Sequence, residues 1–219
     1  MQKSSAVSRY EDCVFLNVPF DKQYLKILHA ICFAIHDCGY VVRIAVETTD
    51  THTTRLNKIL SIIEQSKHCV SDLSRMDLGS SGYPRFNMPF EAGLWWGAFR
   101  FGRSPHPHKR LLVMDVDSKR YQGALSDIAG QDIQSHSNDP EKAIACVRTF
   151  LASDGDRRQL PGAASICKRH SEFRKQLPKM AGAAHLRLTE LRSLNYIPDY
   201  LVLLAAWLRR GAKLDQEMP

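Results

Sequence analysis

The fold is decided by the stretch CVFLNVPFDKQYLKILHAICFAIHDCGYVVRIAV, which covers residues 13–46. Residues 13–18 form a short apolar run, which is typical of a buried strand. Apolar residues then recur at spacings of three and four over residues 24–35, which predicts an amphipathic helix ended at Gly39. Residues 41–46 form a second apolar run. The stretch therefore predicts a strand–helix–strand unit with parallel strands.

The same alternation of strands and helices continues along the chain. Further apolar runs predict strands at residues 69–74 and 110–116 and a short edge strand at 132–136. Helices are predicted between them, one capped by a threonine at 53–54 and one starting at 138–141. The residues expected to form the apolar face of the first of these helices are Leu56, Ile59, Leu60 and Ile63. We predict an α/β fold with a doubly wound, mainly parallel sheet of four to five strands.

The C-terminal part of the chain has a different pattern. Helices are predicted at residues 161–176, 186–193 and 200–210, the last one ended by a glycine. We therefore divide the chain into an α/β domain, residues 1–153, and a C-terminal helical extension, residues 154–219. Charge follows this division, because the first part has 18 Lys and Arg against 16 Asp and Glu, and the second has 12 against 7.

Composition is that of an ordinary globular protein, with 44% hydrophobic and 24% charged residues in 219 and a net charge of +7. No apolar run approaches the roughly 20 residues that cross a bilayer, and the N-terminus lacks the apolar core of a signal peptide. The six cysteines form no C-x-x-C pair and the nine histidines miss metal spacing. We expect a soluble cytoplasmic protein with no metal and no membrane partner, while its basic surface leaves nucleic acid open.

One carboxylate stands out in the stretch NMPFEAGLWWG, residues 87–97. Pro89 suits the first position of a helix, with Asn87 or Met88 as its cap, which puts Glu91 in the first turn. The helix dipole favours the charged form of Glu91, and its apolar neighbours raise its pKa. This combination is common at catalytic acids and bases, and it also occurs at ordinary helix starts.

In parallel sheets, ligands bind beyond the carboxyl ends of the strands. Asp72 and Ser74 at such an end can bind sugar hydroxyls, or Asp72 can simply cap the following loop. Arg43 can bind phosphate, or pair with Glu47. The residues that we place on this edge of the sheet are Asn17, Pro19, Phe20, Asp21, Arg43, Glu47, Asp72, Ser74, Asp115 and Asp117, with Glu91 beside them.

Several frequent nucleotide and hydrolase motifs are missing. The chain has no G-x-x-x-x-G-K-[ST] phosphate loop, no G-x-G-x-x-G after its first strand and no G-x-S-x-G elbow. These absences disfavour a P-loop NTPase, a hydride-transferring dinucleotide enzyme and an α/β serine hydrolase, in that order.

Three segments together resemble a TIR-like bacterial family that is related to the nucleoside 2-deoxyribosyltransferases. They are VFLNVPFD at 14–21, SDLS at 71–74 and FNMPFEAGL at 86–94, and the resemblance covers roughly residues 13–150. It implies a flavodoxin-like or TIR-like fold in which Glu91 is the essential carboxylate and Asp72 lies near the base and sugar. The chain departs from the family at Ala92, and it lacks the carboxamide that a neighbouring subunit lends in the transferases.

The resemblance implies an N-glycosidase that cleaves the nicotinamide–ribose bond of NAD or a related nucleotide. Glu91 is then catalytic, and NAD is a substrate, so no cofactor is expected. Substrate binding is expected from Asp72, Ser74, Asn87, Phe20, Asp21 and Arg43. TIR effectors further suggest self-association and bacterial antiphage defence, with the basic C-terminal helices as a possible partner surface. The alternatives are a non-catalytic nucleotide-sensing or protein-assembly module and a nucleoside 2-deoxyribosyltransferase.

Overall fold

The protein contains a five-stranded sheet in which all strands are parallel. Its computed structural model describes residues 9–47, 50–75, 85–119, 125–128, 130–155 and 159–217. The strands are β1 (Cys13–Asn17), β2 (Val41–Ile44), β3 (His68–Asp72), β4 (Arg110–Asp115) and β5 (Gln134–Ser135), in the order β2-β1-β3-β4-β5. The predicted doubly wound α/β fold is confirmed. The short edge strand predicted at 132–136 corresponds to β5.

The described part of the chain contains six α-helices. They are α1 (Leu25–Asp37), α2 (Arg55–Glu64), α3 (Asn87–Phe101), α4 (Pro140–Ala152), α5 (Ala163–Ala183) and α6 (Ile197–Glu217). Helices α1 to α4 flank the sheet, and α5 and α6 pack against α1. Apolar residues of α1 and α4 form the core on one face of the sheet, and those of α2 and α3 form the core on the other. None of the described helices combines the length and the apolar character needed to cross a membrane.

The helix ends confirm the local sequence signals. Thr54 caps α2, since its hydroxyl accepts a hydrogen bond from Asn57 N at 3.2 Å. Asp139 caps α4 in the same way, with Pro140 as the first helical residue. Gly39 follows α1 with a φ of +80°, a conformation that glycine adopts without strain. These short-range interactions set the element boundaries from residues close in sequence.

Helix α2 presents a different apolar stripe from the predicted one. Ile59, Ile62 and Ile63 are buried against the sheet, whereas Leu56 and Leu60 are 43% and 42% exposed. The prediction of all four residues Leu56, Ile59, Leu60 and Ile63 as the buried face was therefore wrong for two of them. The two stripes overlap at residues 59 and 63, so spacing alone fits either one, and packing against β1 and β3 selects the second.

The helical boundaries of the C-terminal part also differ from the prediction. Helix α5 continues through Pro178 to Ala183, and α6 starts at Ile197 and continues past Gly211. The helix expected at 186–193 is wrong: the structure has two short 3-10 turns, Glu190–Arg192 and Leu194–Tyr196. The Glu190 carboxylate accepts a hydrogen bond from Arg187 N at 2.7 Å, which is the reach-back of a capping box at the start of a single turn.

Helix α1 is covered on all sides. Residues 30–35 are six consecutive buried positions, a pattern that no one-sided helix can have. Helix α4 and the sheet cover one side, and residues of α5 and α6 such as Phe173 and Tyr200 cover the other within the same apolar cluster. Tyr200 also donates a hydrogen bond to His29 O at 3.2 Å. The C-terminal helices therefore complete the core around α1.

A buried ionic cluster holds the end of α4 against the sheet. The carboxylate of Asp154 lies 2.9 Å from His68 Nε2, 3.2 Å from Lys67 Nζ and 3.1 Å from Arg110 Nη1. These partners hold the pKa of Asp154 below its usual value, despite the opposing effect of burial. The segment after α4 is thereby fixed to the starts of β3 and β4.

Candidate functional site

With this strand order, a ligand crevice is expected beyond the carboxyl ends of β1 and β3. The chain leaves β1 toward one edge of the sheet and β3 toward the other, and ligands in doubly wound folds bind at such a point. Asn17, the last residue of β1, spans this point. Its Nδ2 donates to Ser71 Oγ at 3.0 Å and to Met88 O at 2.7 Å, which fixes the start of α3 beside the two strands.

Helix α3 starts earlier than predicted. Its first residue is Asn87, and Phe90 N donates to Phe86 O at 3.0 Å. Pro89 is the third residue, where its missing N–H costs no intrahelical hydrogen bond. Glu91 is consequently the fifth residue and lies in the second turn, so its prediction as a first-turn residue was wrong. The favourable effect of the helix dipole on a carboxylate declines beyond the first turn.

Glu91 lies on the inner side of α3 with Met88, Ala92 and Trp95, and it is only 5% exposed. Burial raises the pKa of its carboxyl group to about 7, although the nearby Arg55 guanidinium acts in the opposite direction. The distance from Arg55 Nη2 to Glu91 Oε1 is 4.0 Å. A carboxyl group with this pKa can exchange a proton near neutral pH or become charged when a cationic ligand arrives.

Arg55 connects Glu91 with the loop after β1. Its Cζ atom lies 5.7 Å from the centre of the Phe20 ring, and its side chain is 54% exposed. Phe20, Arg55 and Glu91 therefore form a row from the β1–α1 loop across the start of α2 to α3. In the sequence, Arg55 lies in the first turn of a predicted helix, where it can contact phosphate or, as we prefer, stay solvated, and no local signal joins it to Glu91.

Asp72 lies on the other side of the sheet. It is fully buried, and its Oδ2 accepts a hydrogen bond from Tyr24 OH at 2.7 Å and lies 2.9 Å from His136 Nε2. Its Oδ1 accepts a hydrogen bond from Ser74 N at 2.8 Å. Asp72 thus closes the loop after β3, the second of the roles predicted for it, and the structure does not bring it to Glu91. No local signal in the sequence pairs Tyr24 or His136 with Asp72.

Asp21 organises the loop that carries Phe20. Its Oδ1 accepts hydrogen bonds from Gln23 N at 3.0 Å and Tyr24 N at 2.9 Å. Its Oδ2 lies 3.1 Å from Arg85 Nη1 and 3.5 Å from Arg75 Nε. The carboxylate therefore holds the β1–α1 loop together and is neutralised by two arginines that flank residues 76–84. The long connection predicted at 75–86 falls mostly in that range, outside the described residues.

The remaining predicted site residues have separate positions. Arg43 pairs with Glu47, with Nη2 2.8 Å from Oε1, which is the alternative to phosphate binding. Ser74 is buried, and its hydroxyl has no partner among the described residues. Asn87 is exposed at the start of α3. Within the part of the chain that the structure describes, no group of three or more His, Cys, Asp or Glu side chains is placed to hold a metal ion.

The accessible part of the crevice thus depends on Phe20, Arg55 and Glu91, with Asn17 as its support. Glu91 belongs to the FNMPFEAGL segment and Phe20 to the VFLNVPFD segment, which are two of the three segments that resemble the TIR-like family. The third segment, SDLS, folds into the Asp72 turn. No family model matches this chain, and comparison with curated proteins and with solved structures finds no match either.

Proposed function

We propose that the protein is an N-glycosidase that cleaves the bond between nicotinamide and ribose in NAD or a related nucleotide. The observation that carries this proposal is the environment of Glu91. Its carboxyl group is buried at the β1–β3 crevice, its pKa is raised to about 7, and an accessible guanidinium lies 4.0 Å away. Functional carboxylates are often found in such an environment.

The chemistry needs one carboxylate beneath the sugar. Breaking an N-glycosidic bond creates positive charge on the anomeric carbon, and a desolvated carboxylate stabilises that charge or captures it covalently. Nicotinamide leaves as a neutral molecule from a cationic ring, so no general acid has to protonate it. Water then bonds to the anomeric carbon and loses a proton, which gives ADP-ribose and H⁺.

The neighbours of Glu91 have complementary roles in this proposal. Arg55 binds a substrate phosphate, for which its half-exposed guanidinium is suited. Phe20, which already packs against Arg55, provides an aromatic edge of the pocket. A cationic nicotinamide ring beside Glu91 favours the charged carboxylate and so offsets the cost of its burial.

The position of Asp72 favours glycosidic cleavage over deoxyribosyl transfer. The resemblance to the transferases implies an aspartate near the base and sugar, whereas Asp72 is fully buried against Tyr24 and His136. A reaction that needs only Glu91 is compatible with this arrangement. The remaining rival is a module that binds the nucleotide in the same crevice without turnover.

The setting that we propose is the cytoplasm of a bacterial cell in which the protein acts in antiphage defence after self-association. Its six cysteines are free thiols, as expected in a reducing compartment. Four exposed apolar side chains on α2 and at the start of α3 offer a surface for a second copy, and the basic C-terminal helices offer one for another partner. The four are Leu56, Leu60, Phe86 and Phe90.

The test is incubation of the purified protein with NAD, followed by chromatographic measurement of nicotinamide over a series of protein concentrations. We expect release by the wild type and at least a ~100-fold lower rate for Glu91→Gln, which keeps the shape and removes the charge. The matched control is Glu64→Gln, an exposed residue on α2, which keeps the wild-type rate. Equal traces for wild type and Glu91→Gln contradict the proposal, and NAD binding without release supports the sensing module.

A further inference from the structure

A second cavity lies beside α1, on the side of the sheet opposite Glu91. It has a volume of about 810 Å³ and lies between the start of α1, helix α5 and residues 188–193. Pockets for small molecules commonly have volumes of about 300–1,000 Å³. The cavity is therefore large enough for a ligand of nucleotide size.

The mouth of this cavity is cationic. Lys22, Lys26, Arg174 and Arg192 line it, and the described residues of its lining include no Asp or Glu. All four side chains are exposed, and within the described chain none of them forms an ion pair. Four uncompensated positive charges around one concave surface attract an anion, and both arginines have the planar fork that binds phosphate oxygens in pairs.

The inner end of the cavity has unsatisfied polar atoms. His29 and His170 both line it, and the Nε2 atom of each is buried with no hydrogen-bond partner in the described structure. His170 is only 6% exposed. Buried polar groups are nearly always hydrogen-bonded, so these two nitrogens make the wall behind the inner end of the cavity unusually polar.

Burial and the adjacent Arg174 lower the pKa of His29 to about 3 and that of His170 to about 4. Both rings are therefore neutral near pH 7, and each offers one donor and one acceptor nitrogen. The His29 ring is held in place by Tyr200, which stacks on it with ring centres 3.8 Å apart and an angle of 5° between the planes. Leu25, Leu177 and Leu191 add an apolar wall.

We propose that this cavity binds a phosphorylated small molecule with a flat polar ring, of which a nucleotide is the representative. The phosphate lies among Lys22, Lys26, Arg174 and Arg192, and the ring packs between the apolar walls beside the side chains of His29 and His170. This proposal does not depend on the activity proposed for Glu91, because the two sites are on opposite sides of the sheet.

The test is calorimetric titration of AMP, UMP and inorganic phosphate into the wild type and three variants. We expect both nucleotides to bind the wild type, and inorganic phosphate to bind at least ~10-fold more weakly because it cannot fill the apolar part of the cavity. Arg174→Gln weakens nucleotide binding by about tenfold, since it removes a charge-assisted hydrogen bond. Lys175→Gln, the next residue of α5 and exposed outside the cavity, keeps the wild-type affinity.

Arg55→Gln separates this cavity from the Glu91 crevice. Nucleotide binding that is lost in Arg55→Gln and kept in Arg174→Gln places the ligand at Glu91 and overturns the proposal. The proposal is also overturned if AMP, UMP and inorganic phosphate all fail to bind at millimolar concentration. Equal affinities for AMP and inorganic phosphate overturn the assignment of the inner end to a ring. Unchanged melting temperatures of the variants exclude unfolding as the cause of any loss.

Discussion

Glu91 and Asp72 lie on opposite sides of the parallel sheet, although only 19 positions separate them in the chain. Asp72 shares its side of β3 with Val70 and contacts Tyr24, which belongs to the core around α1. Glu91 is on α3, and the inner residues of that helix pack with Cys69 on the other side. Side chains alternate along a strand, so Asp72 points away from Cys69 and from the inner side of α3, and its full burial closes it to a substrate.

Tyr24→Phe tests whether Asp72 is structural. The change removes a buried hydrogen bond of 2.7 Å to a carboxylate, so we expect the free energy of unfolding to fall by about 1.5–3 kcal/mol. Urea denaturation measures this change. The control is Tyr10→Phe, whose hydroxyl donates a longer bond of 3.3 Å to Pro105 O in a less buried place, and which costs less. A variant with unchanged stability and lost nicotinamide release would give Asp72 a role at the site.

Glu91→Gln alters the pH dependence of stability. The carboxyl group has a pKa of 4.5 when unperturbed and about 7 in the fold, so between these values the folded state binds a proton that the unfolded state has lost. The stability of the wild type therefore falls as pH rises from 4.5 to 7, by up to about 3 kcal/mol, relative to Glu91→Gln. Urea denaturation of both proteins at pH 5 and pH 8 measures the difference. A difference that stays constant across this range contradicts the raised pKa.

Arg55→Gln raises the pKa of Glu91 further. The guanidinium is the one neighbouring charge that lowers this pKa, so its removal leaves the effect of burial unopposed. Carbon NMR of labelled glutamate carboxyl groups measures the titration, and Glu91→Gln identifies the signal. Arg55→Lys retains a positive charge and gives a smaller change. An unchanged or lower pKa in Arg55→Gln would show that the 4.0 Å pair does not form in solution.

Two glycines at α3 have opposite expected responses to alanine. A Cβ atom at Gly102 would lie 2.3 Å from Ala98 O, a backbone atom that cannot move alone, so Gly102→Ala costs about 1–3 kcal/mol. A Cβ atom at Gly93 meets nothing within 4 Å, so Gly93→Ala stabilises the helix by about 0.5–1 kcal/mol. Thermal unfolding of both variants measures the two changes. Melting temperatures equal to that of the wild type would contradict both expectations.

Local signals in the sequence were sufficient for the strands, the caps and most helices. Fully buried parallel strands are short apolar runs, and Thr54 and Asp139 cap helices through residues two or three positions away. The short motif around Glu91 selects it as the catalytic candidate, and that role stays a prediction. Local spacing could not decide which side of β3 would receive Asp72, because its partners Tyr24 and His136 lie 48 and 64 positions away. For the same reason it could not assign Arg55 to Glu91.

The burial of α1 on all sides has a consequence for synthesis of the protein. One side of this helix is covered only when α6 has been made, because Tyr200 of α6 bonds to His29, 171 positions earlier. At about 5–20 residues per second, translation takes roughly 10–30 s to cover that separation. During this interval an apolar helix emerges from the ribosome without its final cover. We therefore expect the nascent chain to engage chaperones until its last helix is released.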